Sequence, residues 1–342
     1  MSETNQEFTV VALDAMGGDN APGEIVKGAV NALAERQDLK VSLVGKKEEI
    51  EKALEGLTYP ADRLGIVDAR EVIEVEEHPA NAIKTKKDSS IVRGLKLVKE
   101  GEADAFVSSG STGAVLVGGQ LIVKTIKGIR RAPLAPFIPT SKGPCLLIDC
   151  GANVDAKPED LVLFAKLGNL YCKHAMHIEN PKVGLINIGT EDTKGNALTQ
   201  AAFPLLKECE DINFVGNVEA REIPAGAVDV AVCEAFVGNV LLKTYEGVGK
   251  TLLSEIKGAL MSNLQAKIGG LLIKKTLKNA MRRFDASEYG GAMMLGLNGL
   301  VVKSHGNATA KEIRNAILQC VEFKTQHVPE EIKKTLGKTE EA

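Results

Sequence analysis

Val10-Val11-Ala12-Leu13 runs into Asp14-Ala15-Met16-Gly17-Gly18-Asp19-Asn20-Ala21-Pro22, an apolar strand candidate that breaks at a glycine pair and leads into a helical pattern. Gly17 and Gly18 permit positive φ and close backbone approach, and Pro22 suits a first helical turn, where its missing N–H has no partner to lose. Such a strand, turn and helix start presents free amides to an anion. The turn alone leaves function open. Asp14 and Asp19 repel an oxyanion unless cations intervene, the G-x-G-x-x-G spacing of a dinucleotide site is absent, and a purely structural turn carries the same glycines.

Further along, short apolar runs recur at Val41–Val44, Ala105–Ser108, Cys145–Asp149, Val183–Ile188 and Val228–Cys233, separated by stretches long enough for helices. That alternation predicts an α/β protein with a mostly parallel sheet covered on both faces. Several runs end in small or glycine-containing loops, at 108–113, 149–153, 187–191 and 214–218. Ligands of open α/β sheets bind at the carboxyl ends of strands, so several such loops sharing hydroxyls, amides and glycines predict a common crevice.

With 342 residues, 44% hydrophobic and only 4% aromatic, the chain can bury a large aliphatic core. Its 42 basic and 45 acidic residues leave a net charge of −3, which gives no whole-chain field for nucleic acid. Residues 1–7 have no basic start or apolar core, and no run approaches the ~18 apolar residues of a membrane span, so a cytoplasmic protein is expected. The six cysteines show no C-x-x-C spacing and read as small buried hydrophobes rather than a disulfide framework. His174 and His177 are spaced like metal ligands, but no nearby carboxylate or cysteine completes a set, so neither metal nor cofactor is expected. No linker or repeat forces a split, so residues 1–335 read as a single α/β domain. The charged tail from Pro329 frays, leaving 336–342 outside the domain.

The segment Lys257–Arg283 carries seven cations and no acid. Leu277, Ala280, Met281 and Phe284 fall at helical spacing while Lys274, Lys278 and Arg282 line another face, which predicts a basic amphipathic helix. Gly269-Gly270 suggests two helices joined by a turn there, protruding over 250–285 with Ile268, Leu271, Leu272 and Ile273 as an apolar tip. Core or dimer packing explains those residues as well as contact with an acidic carrier or an anionic membrane, through Lys267, Ile268, Leu271, Leu272, Lys274, Lys275, Lys278 and Arg282.

Taken together, Asp14–Asp19 with Pro22, the Ser109–Ala114 loop, Asp149–Asn153, Ile186–Gly189, Gly216–Glu219, Phe236–Asn239, Tyr289–Ala292 and Lys303–Gly306 resemble the bacterial phosphate acyltransferases of phospholipid synthesis, across nearly the whole chain. Three positions depart from that pattern: Ser111 stands for Asn, Glu234-Ala235 for Asp-Gly, and Met293-Met294 for a Pro-Leu type pair. The resemblance implies a homodimer with a Rossmann-like, isopropylmalate-dehydrogenase-like three-layer α/β/α fold related to phosphotransacetylases. It implies transfer of a long-chain fatty acyl group from acyl carrier protein to inorganic phosphate, giving acyl phosphate. It places the protein at the inner face of the cell membrane, beside a membrane acyltransferase that forms acylglycerol phosphate.

Attack of phosphate on a thioester needs no enzyme nucleophile, so positioning and charge neutralisation dominate. Lys303 and His305 are the leading catalytic candidates: Lys303 for phosphate, His305 as oxyanion donor or as general acid to the departing thiolate. A local extended chain points both the same way. On residues alone, a solvated lysine and a capping histidine explain that loop slightly better, and only the resemblance reverses the balance. Gly17, Gly18, Asp14 and Asp19, the loop Ser109, Gly110, Ser111, Thr112 and Gly113, and Ser304 are candidates for phosphate or substrate contact, with an ordinary N-cap as the rival for the hydroxyls. Asn153, Asn187, Asn217 and Asn239 suit an oxyanion pocket or merely turns, and Arg130 and Arg131 suit phosphate or solvent. Two other functions stay open. A metal- and NAD-dependent dehydrogenase of the isopropylmalate type shares the architecture but needs clustered aspartates, whereas Asp14, Asp149 and Asp155 are scattered. A non-catalytic membrane or carrier scaffold leaves the glycine and hydroxyl loops without a purpose.

Overall fold

The computed structural model describes residues 8–282 and 286–337. These form two compact units rather than one domain, the first of residues up to 136, 170–179 and from 287 onward, the second of 137–169 and 180–286. Each has its own sheet, where the sequence pointed to one.

In the first unit, β1 (Thr9–Asp14), α1 (Gly23–Glu35), β2 (Leu39–Gly45), α2 (Lys47–Leu54) and β3 (Leu64–Asp68) alternate, followed by α3 (Pro79–Thr85), α4 (Ser90–Glu100), β4 (Ala105–Ser108), α5 (Thr112–Gly118) and the two-residue β5 (Leu134–Ala135). The apolar run of β1 is buried along nearly its whole length because β2 and β4 flank it in parallel. Pro22 sits just before α1, as its N-cap, rather than within the first turn. Ile25, Val26, Ala29, Ala32 and Leu33 form the buried stripe of α1.

The second unit begins with β6 (Phe137–Thr140) and β7 (Gly143–Ile148), an antiparallel pair that the apolar runs did not announce. There follow α6 (Pro158–His174), β8 (Lys182–Asn187), α7 (Ala197–Lys207), β9 (Asn213–Glu219) and β10 (Val230–Val232). The sheet order β6-β7-β10-β8-β9 is parallel from β7 to β9. Its core includes Cys145, Cys150 and Cys233 among Leu147, Ile186, Val218 and Ala231, so these cysteines act as the small hydrophobes expected. Burial pushes the Cys150 thiol up to about 12.

Two long helices follow, α8 (Ala235–Met261) and α9 (Leu264–Arg282). The break therefore falls at Ser262-Asn263, and Gly269-Gly270 lies inside α9. Asn263 Oδ1 accepts the Ala266 N–H at 2.8 Å and starts the second helix, while Ser262 Oγ donates to the Ala259 carbonyl and ends the first. Gly270 packs in ordinary van der Waals range of Leu260: a Cβ there would lie 3.4 Å from Leu260 Cβ. The apolar Ile268–Ile273 run is thus a side of α9, not its tip. The Arg282 side chain and residues 283–285, including Phe284, lie outside the described residues.

The first unit is completed by β11 (Ala292–Met294), β12 (Leu300–Lys303), α10 (Ala310–Thr325) and α11 (Val328–Gly337). Its sheet runs β3-β2-β1-β4-β12-β11-β5, parallel from β3 to β12 and antiparallel at β11 and β5. α11 corrects the frayed tail over 329–337, because Val328 and Ile332 are buried; residues 338–342 lie outside the described residues.

Candidate active site

In the first unit, β1, β4 and β12 are neighbouring parallel strands, and their carboxyl ends bring Asp14, Ser108 and Lys303 to one edge. The loops that leave them touch. Asp19 N–H donates to the Gly306 carbonyl at 2.7 Å, and Asn20 Nδ2 donates to the carbonyls of Asn307 and Ala308. The contact explains the glycine pair. A Cβ on Gly17 would lie 2.6 Å from the Gly110 nitrogen, and one on Gly18, at φ 96°, would lie 2.6 Å from the Gly306 oxygen.

Asp14 is 1% exposed. Its Oδ2 accepts the Ser108 hydroxyl at 2.6 Å and its Oδ1 accepts the Met16 N–H at 3.1 Å, with Ser90 and the Gly17 amide as further donors. Burial raises its pKa against the pull of those donors. Ser108 Oγ in turn accepts the Gly110 N–H at 3.0 Å.

Lys303 is 8% exposed, and its ammonium donates to the carbonyls of Ser109, at 3.4 Å, and Ser304. Burial lowers its pKa to about 8, opposed by the charge of Asp14. Ser109 Oγ is buried, with no hydrogen-bond partner among the described residues. A buried hydroxyl left unpaired costs about 1–3 kcal/mol, a cost that an oxyanion or a water accepting its proton removes. The edge therefore sets an unspent donor beside a buried cation.

Other candidates stand around that pair in different states. Ser304 and Ser111 are buried, and Ser111 caps α5 by accepting the Ala114 N–H at 3.4 Å, the rival role its residue type allowed. Thr112, Asp19 and His305 are exposed, and Gly113 packs against Pro79. Lys303 ends β12 whereas His305 lies beyond it, so the pair differs sharply in burial. Arg130 and Arg131 are exposed. Ser108 escaped the sequence reading: the apolar pattern ends there, and only the β1–β4 register reveals its bond to Asp14.

The asparagines belong to the second unit, where Asn217 lies inside β9, which also takes up the expected 214–218 loop, and Asn239 inside α8, and they bond to neighbouring segments. Asn187 Nδ2 donates to the Lys194 carbonyl and to Asn217 Oδ1, both at 3.0 Å, and Asn217 Nδ2 donates to the Glu191 carbonyl at 2.9 Å. Asn153 Nδ2 donates to the buried Asp149, which also accepts the amides of residues 151–153, and Asn239 Nδ2 donates to the Cys150 carbonyl. On α9, Lys267, Ile268, Leu271, Leu272, Lys274, Lys275 and Lys278 are exposed. Among the described residues no group of three His, Cys, Asp or Glu is arranged to hold a metal, and no helix is long and apolar enough to cross a membrane.

The profile of a family described as "Fatty acid synthesis protein" matches residues 9–331. A phosphate acyltransferase of Clostridium perfringens is 50% identical over 313 residues, covering 92% of each chain. One from Clostridium tetani is 47% identical, covering 95% of this chain and 97% of its own. The chain belongs to the family of bacterial phosphate acyltransferases. Among solved structures, the EutD phosphotransacetylase of Staphylococcus aureus superposes with a TM-score of 0.58 at 16% identity, covering 92% of this chain and 94% of its own. A phosphotransacetylase of Streptococcus pyogenes gives 0.56 at 19%, covering 94% and 95%. At such identities the likeness shows the fold, a mixed α/β architecture with mostly parallel sheets. It leaves the chemistry to the family's residues.

Proposed function

We propose that the chain transfers a long-chain fatty acyl group from acyl carrier protein to inorganic phosphate, releasing acyl phosphate and the carrier thiol. The observation that carries this reading is the Ser109 hydroxyl, unpartnered among the described residues, on the residue whose carbonyl receives the buried Lys303 ammonium. Phosphate is itself the nucleophile. It needs its charge neutralised and its orientation fixed, which Lys303 and Ser109 supply. One phosphate oxygen attacks the thioester carbon, the tetrahedral oxyanion collapses, and the carbon–sulfur bond breaks. The departing thiolate takes a proton from solvent or from His305, exposed just past β12.

The names of the relatives support phosphate as acceptor, and the family description supports a fatty acyl donor. The dehydrogenase reading gains no support, since Asp14 and Asp149 are each buried and committed to neighbouring amides and hydroxyls. The reading includes a homodimer of α/β/α, isopropylmalate-dehydrogenase-like architecture and peripheral attachment to the inner face of the membrane. The exposed apolar and basic residues of α9 support the attachment. Leu271→Glu with Leu272→Glu then releases the protein from anionic vesicles, and unchanged vesicle binding removes this element.

The deciding experiment gives purified protein phosphate with long-chain acyl carrier protein, and acyl coenzyme A in parallel, and traps acyl phosphate with hydroxylamine. Product from the carrier thioester is expected. Product from coenzyme A alone reassigns the donor, and none from either refutes the reading.

A further inference from the structure

We propose that Asp14 is a positioning residue of this site, acting through the Ser108 hydroxyl to hold the Ser109–Gly110 backbone where Ser109 and Lys303 meet phosphate. The inference rests on the function proposed above and gives a role to a buried carboxylate that an anion site would otherwise avoid.

Hydrogen-bond polarity along the chain of contacts leaves one arrangement. The Gly110 N–H is only a donor, so Ser108 Oγ receives it and must send its single proton elsewhere. That proton goes to Asp14 Oδ2 at 2.6 Å, while Oδ1 receives the Met16 N–H. Both carboxylate oxygens are acceptors, the arrangement an ionised aspartate provides. Being 1% exposed and packed under Gly17, where a Cβ would collide with Oδ2, Asp14 acts on substrate through other groups.

Ser109 lies between the two clamped positions. The side chain before it and the amide after it are fixed, and its own carbonyl receives the Lys303 ammonium. Its hydroxyl is a buried side-chain oxygen with no hydrogen-bond partner among the described residues. The groups around the Lys303 ammonium are the Asp14 charge from β1, the Ser109 carbonyl from the β4 loop and the Ser304 carbonyl at its own strand end, with exposed Asp19 and His305 in the adjoining loops. A buried ammonium with no carboxylate nearby would shed its proton more readily, so Asp14 also keeps Lys303 charged.

The test compares Asp14→Asn and Ser108→Ala with the unaltered protein, measuring phosphate binding by titration calorimetry and acyl phosphate formation over about pH 6–9. Asn keeps the shape but offers one acceptor oxygen where two are used. Asp14→Asn is expected to weaken phosphate binding about tenfold or more and to move its alkaline limb to lower pH, since Lys303 loses the charge that holds its proton. Ser108→Ala is expected to weaken binding severalfold with the limb in place. Phosphate's own titration is common to all three proteins and cancels. A merely structural Asp14 would lower melting temperature without moving the limb, and that result, or binding within twofold of the unaltered protein, overturns the proposal. Should Asp14→Asn not fold, Ser108→Ala decides, with normal phosphate binding overturning the idea. If the unaltered protein binds phosphate yet forms no acyl phosphate, the proposed reaction fails while the role of Asp14 is still decided by binding; if it binds no phosphate, both fall.

Discussion

Each unit carries parallel strands whose carboxyl edge ends in glycine-containing loops, but the polar side chains there are spent differently. In the second unit Asn187 gives its amide protons to the Lys194 carbonyl and to Asn217 Oδ1, and Asn217 gives its own to the Glu191 carbonyl. Asp149 collects the amides of its own loop, so these carboxylate oxygens and asparagine amides are spent on neighbours. In the first unit a parallel arrangement around Asp14 and Ser108 leaves the Ser109 hydroxyl without a partner among the described residues, on the residue whose carbonyl receives the Lys303 ammonium. Residue type alone does not separate a ligand site from a stapled loop. Hydrogen-bond bookkeeping does, because only the unfinished edge gains from an incoming anion.

Several variants would break or sharpen that contrast. The largest effect is in pH. Lys303 is a base whose pKa lies near 8, so phosphate KM should rise about tenfold per unit above that value as the cation is lost. A flat profile up to pH ~10, near the ordinary lysine value, would put the binding charge elsewhere. Next, Ser109→Ala removes a hydroxyl that the free protein does not use. Phosphate KM should rise roughly tenfold while the melting temperature holds or climbs slightly, and a clear loss of stability would mean the hydroxyl is spent after all. Asn217→Ala should do the reverse. Loss of its two staples costs about 1–2 kcal/mol, a few degrees of melting temperature, with phosphate KM within twofold. A large KM change there would return the asparagines to the anion site. Smallest of all, Leu272→Glu on the exposed side of α9 should shift stability by less than about 0.5 kcal/mol, as scanning calorimetry would show.

Much of this contrast was legible in the chain. The apolar run before Asp14 and the glycine pair after it gave β1 and its turn, and the five later runs all became strands. Lys303 and the Ser109 loop were picked out because cations and hydroxyls at strand ends suit an oxyanion. The short strands β5, β6 and β11 were not visible, since two to four residues carry no period. The α8–α9 break was misplaced because Gly269-Gly270 looks like a stop signal, whereas both glycines lie within α9. Ser108 was missed and the role of the asparagines stayed open for one reason: who accepts a given proton depends on strand register and loop path, which adjacent residues do not encode. The β8–β9 register sets Asn217 opposite Leu185, two residues from Asn187 and within reach of its amide, and Ser108 is set beside Asp14 by β1–β4.

The most direct test of the account is the phosphate dependence of acyl phosphate formation in Lys303→Ala measured beside Asn187→Ala. The account predicts that Lys303→Ala loses on the order of 100-fold in kcat/KM for phosphate, the scale of one preorganised charge contact, while Asn187→Ala stays within about threefold. A Lys303→Ala protein with ordinary phosphate dependence, or an Asn187→Ala protein that has lost it, would contradict the account.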